Sequence, residues 1–260
     1  MLRQREPDER DINLFGTKFK REFDRYGGVQ YLLDKGKIIP FYRIIQMLKG
    51  RRVCIVGPAE YVVYETDDTH GSLIDSYDIV IKINRMIRFE KSERDIDGFF
   101  GKRLDILFTT IVNSDESEKF ANIYKNIKKR TIIVIRAFRW DNTIYHEFLT
   151  NGNIILSFYG PGRIDPIKSI LGGTLPTTGF IALYESIMNA RETYITGLTF
   201  GHPDGVYDDY VEEYLPAGTK VPRLRDVYGH NTVMEKEHIL RMRNRHNIKV
   251  DPYLQRIFSK

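Results

Sequence analysis

Six short apolar runs, rich in β-branched residues, constrain the fold of this chain more than any other feature. They are Val53-Cys54-Ile55-Val56-Gly57, Ile79-Val80-Ile81-Lys82-Ile83, Leu104-Asp105-Ile106-Leu107-Phe108, Thr131-Ile132-Ile133-Val134-Ile135, Asn153-Ile154-Ile155-Leu156-Ser157 and Thr193-Tyr194-Ile195-Thr196. Each is too short for a core helix and too continuous for a strand with one wet face. Strands that are apolar at nearly every position are buried on both sides, which is the situation in a parallel sheet. The stretches between them carry helical signals. Phe41 to Leu48 places apolar residues at helical spacing, and Lys49-Gly50 closes the segment. Further helices are predicted over 115–128, from near Gly179 onward, and over about 234–245, where the arginines at the end suit the negative pole of the helix dipole. Strand and helix in alternation predict an α/β fold: a Rossmann-like, mostly parallel sheet with helices on both faces, forming a single domain over 52–260 behind a helical extension over 1–51.

In such sheets ligands sit beyond the carboxyl ends of the strands. The tips to inspect are therefore Gly57-Pro58-Ala59, Asn84-Arg85, Thr109-Thr110 and Gly197-Leu198-Thr199. The first tip is not a dinucleotide fingerprint. The second and third glycines are missing, and Pro58 removes an N–H that would cradle a phosphate. A Gly-x-x-x-x-Gly-Lys-Ser/Thr loop is absent as well, which argues against a P-loop enzyme.

Cys54 is the only cysteine, so no intrachain disulfide is available and nothing calls for an oxidising compartment. The first residues are polar and charged, and no apolar run is long enough to span a bilayer. A cytosolic protein without a transmembrane segment is expected. Charge is concentrated at the ends: residues 1–52 carry 13 Lys/Arg against 7 Asp/Glu, and residues 219–260 carry 10 against 4, while the whole chain has a net charge of only +5. Basic ends on an acidic middle suggest an anionic partner: nucleic acid, an anionic membrane surface or an acidic glycan.

Three motifs carry chemistry. The first runs from Val53-Cys54-Ile55-Val56-Gly57 through Gly71, Ile74-Asp75, Asp78, Val80 and Lys82 to Asn84, with Gly101-Lys102-Arg103-Leu104-Asp105 downstream. The second is Leu175-Pro176-Thr177-Thr178-Gly179-Phe180, followed by Tyr194-Ile195-Thr196-Gly197. Thr177 and Thr178 are placed to cap a helix, and a helix start offers free N–H groups to an anion. The third is His230-Asn231-Thr232-Val233-Met234-Glu235. Histidine suits proton transfer near neutrality because its unperturbed pKa lies near ~6.5.

In this order and at these separations, over about residues 52–241, the three segments resemble the large sialylmotif, the small sialylmotif and the His-x-x-x-x-Glu motif of the sialyltransferase family. The resemblance implies a GT-A-like sialyltransferase variant: an inverting glycosyltransferase that needs no metal or other cofactor and uses a CMP-sugar as donor. It implies His230 as the base that deprotonates an acceptor hydroxyl, with Glu235 orienting the helix start. It implies donor binding by Gly57, Pro58, Ala59, Asn84, Thr177, Thr178, Gly179 and Gly197. The sequence departs from the family pattern in places. Pro58 stands where the family has Asn, and Lys82 where it has Arg. The middle motif, whose histidine helps hold the phosphate, is reduced to Tyr207-Asp208-Asp209-Tyr210 with His202 upstream; His202 or Tyr210 is the expected substitute. The acceptor is expected to be acidic, either an anionic glycan or glycolipid, or DNA bearing a hydroxylated base.

Two other classes fit parts of the sequence. Asp95-Ile96-Asp97 is an Asp-x-Asp that would hold a divalent ion against a UDP- or GDP-sugar. The arginines at 223, 225, 241, 243 and 245 motivate a nucleic-acid-binding protein without catalysis, although no recognised nucleic-acid-binding motif accompanies them.

Overall fold

A computed structural model of the chain describes residues 2–59, 61–84, 97–110, 124–125, 127, 129–136, 142–200 and 230–259. The architecture is α/β, with parallel strands flanked by helices. It separates into two compact units: residues 1–47 with 104–166, and residues 48–103 with 167–260.

The first unit holds helices α1 (Leu2–Lys18), α2 (Lys20–Asp24), α3 (Gly28–Asp34) and most of α4 (Phe41–Leu48). Its strands are β3 (Ile106–Thr109), β4 (Thr131–Ile135) and β5 (Ile154–Phe158), and α8 (Asn142–Thr150) connects the last two. Strand β4 pairs in parallel with both neighbours, Ile106 opposite Ile132 and Thr131 opposite Ile154. All residues of the three strands are buried, which is why they read as uninterrupted apolar runs. The N-terminal helices are anchored to this unit by chemistry as well as packing. Buried Asp11 accepts the N–H groups of Gly160 and Gly162 at 3.0 and 2.9 Å, closing the start of α9 (Pro161–Ile170). Burial raises the Asp11 carboxyl above the ordinary carboxylate range despite these two donors. Arg163 pairs with buried Asp8 and lies over the Phe41 ring. Phe15 stacks on Phe158 at 4.5 Å between centroids.

The second unit carries the strand tips of interest. Strands β1 (Arg52–Val56), β2 (Ile79–Ile83), β6 (Glu192–Thr196) and β7 (Ile248–Val250) lie in the order β2-β1-β6-β7, and each of these pairs is parallel. Helices α5 (Tyr61–Glu65), α6 (His70–Asp75) and α7 (Asp97–Phe100) follow β1 and β2. Helix α10 (Thr178–Asn189) leads into β6, and α11 (Thr232–Arg243) leads into β7. Helix α12 (Pro252–Phe258) closes the chain. The chain leaves β1 for β2 on one side and returns to it with β6 on the other. The crevice between the ends of β1 and β6 is therefore a topological switch point, the place where open α/β sheets bind ligands.

Several boundaries differ from the sequence reading. Strand β3 starts at Ile106 rather than Leu104, and β5 at Ile154 rather than Asn153. Asn153 is a turn residue: its N–H donates to Asn151 Oδ1 at 2.9 Å. Helix α11 starts at Thr232, two residues early, because Asn231 Oδ1 accepts the Met234 N–H at 3.2 Å and caps it. Strand β7 and α12 follow it, and α12 is capped by Asp251, whose side chain accepts the Leu254 N–H, with Pro252 in the first turn. The helix predicted over 115–128 falls mostly outside the described residues.

Candidate active site

The site is built at the carboxyl ends of β1, β2 and β6, where α10 and α11 begin. Gly57 and Gly197 close the crevice between β1 and β6 by backbone contact alone. A Cβ on Gly57 would lie 2.1 Å from Gly197 O, and one on Gly197 would lie 2.2 Å from Gly57 O; Gly197 also has φ +70. No other residue fits this crossing. The Gly57 N–H donates to Thr196 O at 2.9 Å and the Ala59 N–H to Gly197 O at 3.0 Å. With proline at position 58, the amide donors of this tip are spent within the protein. Gly57, Pro58 and Ala59 shape the floor of the crevice but offer no amide cradle.

The carboxyl end of β6 is held from below. Asp251, 1% exposed, accepts the Tyr61 hydroxyl and the Thr196 hydroxyl, each at 2.7 Å. Tyr61 in turn accepts the Leu198 N–H at 3.2 Å. Burial first, and then the facing Asp251, push the Tyr61 phenol well above its ordinary pKa, so it stays a donor to the carboxylate.

The polar positions of the first motif hold a loop. Asp75 accepts the Lys102 and Arg103 N–H groups at 3.0 Å each. The Arg103 guanidinium donates to the carbonyls of Asp75, Tyr77 and Asp78. Asp78 accepts the Arg52 N–H at 2.8 Å, and buried Lys82 donates to Gly101 O at 2.7 Å. Gly71 leaves room for the Asp97 carbonyl, which a Cβ there would approach to 2.0 Å. These residues tie the segment Asp97–Arg103 onto α6 and the start of β2. Asn84 differs. It ends β2 with φ +52, a left-handed conformation that asparagine tolerates, and its Oδ1 is buried without a hydrogen-bond partner among the described residues. A buried unpaired acceptor is costly and suits a ligand hydroxyl or amino group.

The second and third motifs meet directly. Thr177 is the N-cap of α10, and its Oγ1 accepts the Phe180 N–H at 3.0 Å. Glu235, in the first turn of α11 and 2% exposed, reaches the same helix end. Its carboxylate accepts the Thr177 N–H at 2.6 Å and the Thr177 hydroxyl at 2.8 Å. The dipole of α10 and these two donors compensate a buried negative charge. The anion at this helix start is thus the protein's own carboxylate, and both Thr177 donors are spent on it. Thr178 is buried behind the cap. Gly179 is different from the glycines of the crevice. A Cβ there would make only ordinary contacts, 3.4 Å to Leu198 and 3.7 Å to Ile83, and its φ is not positive. Packing does not demand glycine at this position.

His230 stands just before the α11 cap. Its Nδ1 lies 2.7 Å from Leu175 O, two residues ahead of Thr177. A carbonyl oxygen only accepts, so Nδ1 carries the proton in this bond. In the neutral ring Nε2 is then left with its lone pair. Two ties, Glu235 to Thr177 and His230 to Leu175, therefore join the start of α11 to the start of α10.

No protein-family model matches this chain, and no curated protein matches it significantly.

Of the residues expected at the site, Gly57, Pro58, Ala59, Asn84, Thr177, Thr178, Gly179, Gly197, His230 and Glu235 lie on the β1, β2 and β6 tips and the α10 and α11 starts. His202, Tyr207 and Tyr210 lie outside the described residues, as does Asp95. The other half of that Asp-x-Asp, Asp97, faces Lys102 at 3.9 Å. Sequence reading missed the Leu175 carbonyl, because backbone partners leave no residue signature. It also missed the Asp251–Tyr61–Thr196 lock, although Asp251-Pro252 is a recognisable helix start. Among the described residues no helix is long and apolar enough to cross a membrane.

Proposed function

We propose that this chain is an inverting glycosyltransferase, sialyltransferase-like, that takes a sugar from a CMP-activated donor and uses His230 as general base. The observation that carries this reading is the pair of ties at the helix starts. His230 is held through Nδ1 by Leu175 O, leaving Nε2 as acceptor, and the segment bearing it is fixed by Glu235 on the α10 cap. A base oriented by a backbone carbonyl suits acceptor deprotonation.

In the proposed step the acceptor hydroxyl gives its proton to His230 Nε2 while its oxygen forms a bond to the anomeric carbon. The bond between that carbon and the phosphate oxygen breaks on the opposite face, and CMP departs with the electron pair. Attack opposite the leaving group inverts the anomeric centre. Charge develops on the departing phosphate. Thr177 is committed to Glu235, so the amide that suits this charge is that of Gly179, at the first turn of α10, where glycine lets a ligand approach the backbone closely. The unpaired Asn84 Oδ1 suits a hydroxyl or amino group of the nucleoside. A CMP donor carries a single phosphate, and this scheme routes no step through a metal.

The test is transfer from a panel of CMP-sugars to glycan, glycolipid and hydroxymethylated-DNA acceptors, by the parent protein and His230→Ala. Loss of the base should lower turnover by roughly 10²–10⁴ with little change in donor affinity. Turnover near the parent value in His230→Ala removes His230 from the reaction.

A further inference from the structure

Further along the same two helices, α10 and α11 frame a groove of about 730 Å³. Its walls include Ile170, Tyr184, Met188 and Met242, and its rim carries Arg241 and Arg245 beside His238 and His246. Ile170 and Met188 are 38% and 48% exposed. Neither Arg241 nor Arg245 has a carboxylate partner among the described residues; Arg241 donates only to the Glu237 carbonyl of its own helix. His238, one of the lining residues, packs edge-on to Phe180 in the first turn of α10. Met188 lies ten residues beyond Thr178, about 15 Å along the helix at ~1.5 Å per residue.

We propose that this groove docks the protein on an anionic membrane surface, with Arg241 and Arg245 on lipid phosphates and the Ile170, Met188 and Met242 side chains against an acyl chain. Size, charge and surface chemistry all point that way. The volume suits one amphiphile, whereas a protein partner would need about 800 Å² of matching face. Unneutralised arginines beside exposed aliphatic and thioether side chains are the composition of an interfacial membrane site. A nucleic-acid groove would instead present flat aromatic platforms between its cations, and here Tyr184 is the one aromatic ring among the lining residues besides the histidines. The groove stands on its own observations. If the reading of the active site also holds, a lipid-borne acceptor would reach from this groove back along α10 to its start.

The experiment is flotation of the full chain with vesicles of phosphatidylcholine alone or mixed with phosphatidylglycerol. Three variants accompany it: Arg241→Glu/Arg245→Glu, Met188→Glu, and the charge-matched control Lys125→Glu/Lys129→Glu, which reverses two exposed lysines elsewhere. The parent and the control are expected to bind the mixed vesicles and not the neutral ones. A cation near an anionic surface is worth about 1 kcal/mol, roughly fivefold in partitioning, so the double arginine reversal should lower binding by more than about 20-fold. Met188→Glu, at a half-exposed position of α10, should also lower it. The proposal is overturned if the parent does not bind, if it binds neutral vesicles equally, or if the control loses as much as the arginine reversal. It is also overturned if duplex DNA, not vesicles, is what Arg241 and Arg245 retain. Transfer activity on a soluble acceptor is measured in parallel, so that failure of docking and failure of the catalytic reading are read separately.

Discussion

Replacing Thr177 by valine removes one hydroxyl of near-equal volume and tests the junction on which the site rests. The Thr177 Oγ1 does two things: it caps α10 through the Phe180 N–H at 3.0 Å and donates to the Glu235 carboxylate at 2.8 Å. Loss of an N-cap costs about 1 kcal/mol, and loss of a hydrogen bond to a charged group about 1.5–3 kcal/mol. Glu235 is 2% exposed, so water does not replace the missing donor. The combined cost is about 2.5–4 kcal/mol. At roughly 2–4 °C per kcal/mol for a chain of this size, the melting temperature should fall by roughly 5–16 °C. Thr177→Ser keeps both bonds and should stay within about 2 °C of the parent. A double-mutant cycle with Glu235→Gln isolates the shared term, with an expected coupling of about 1–3 kcal/mol. Near-parent stability for Thr177→Val, or equal losses for valine and serine, would refute the argument that this carboxylate depends on the α10 cap.

Gly57→Ala should fail to fold or lose at least about 3 kcal/mol in urea unfolding, because its Cβ would lie 2.1 Å from the Gly197 carbonyl and neither backbone can yield; an alanine variant of parent stability would contradict the crossing. Stability should also fall as pH drops below about 6.5, partly through His70. Its Nδ1 lies 2.8 Å from Phe99 O and its Nε2 2.9 Å from the Tyr194 hydroxyl, and burial holds its pKa below the ordinary value. The unfolded chain therefore takes up the proton first, so the contribution of this group is complete above ~6.5 and is lost toward the lowered folded value. Urea midpoints between pH 7 and 5 should decline less in His70→Gln than in the parent, and an unchanged decline would remove His70 from that dependence.

Much of the fold was legible because burial on both faces writes itself into sequence. Strands β2 and β4 match their apolar runs residue for residue, and β1 and β6 are displaced by one at most. What was not legible has local causes. Strand β7 is three residues, Ile248–Val250, with Lys249 at its centre, too short for any period to declare itself. The ends of β3 and β5 depend on side-chain and backbone bonds, such as Asn153 to Asn151, that an apolar count does not register. The motifs fall on strand and helix ends, but the residues alone do not say what each one does there. Gly57 and Gly197 are required by each other's backbone, and Thr177 holds Glu235 and has no donor left for a phosphate. Such assignments depend on which donors are already spent, and that is known only once the partners are in place. The basic end of the chain read as a general attraction to anions, whereas its division between a groove rim, Arg241 and Arg245, and a bond to Gln255, Arg243, is a matter of which helix face each arginine occupies.

The central proposal is that the switch point between β1 and β6 takes a CMP-sugar. The most direct measurement is thermal stability with CMP, UDP and GDP, each with and without EDTA. At about 100 times its Kd a ligand stabilises by ~2.7 kcal/mol, which for this size raises the melting temperature by roughly 5–11 °C. The account predicts that CMP stabilises the protein, that EDTA does not change this, and that Asn84→Ala weakens it. Stabilisation by UDP or GDP that EDTA abolishes would contradict it and move attention to Asp95 and Asp97.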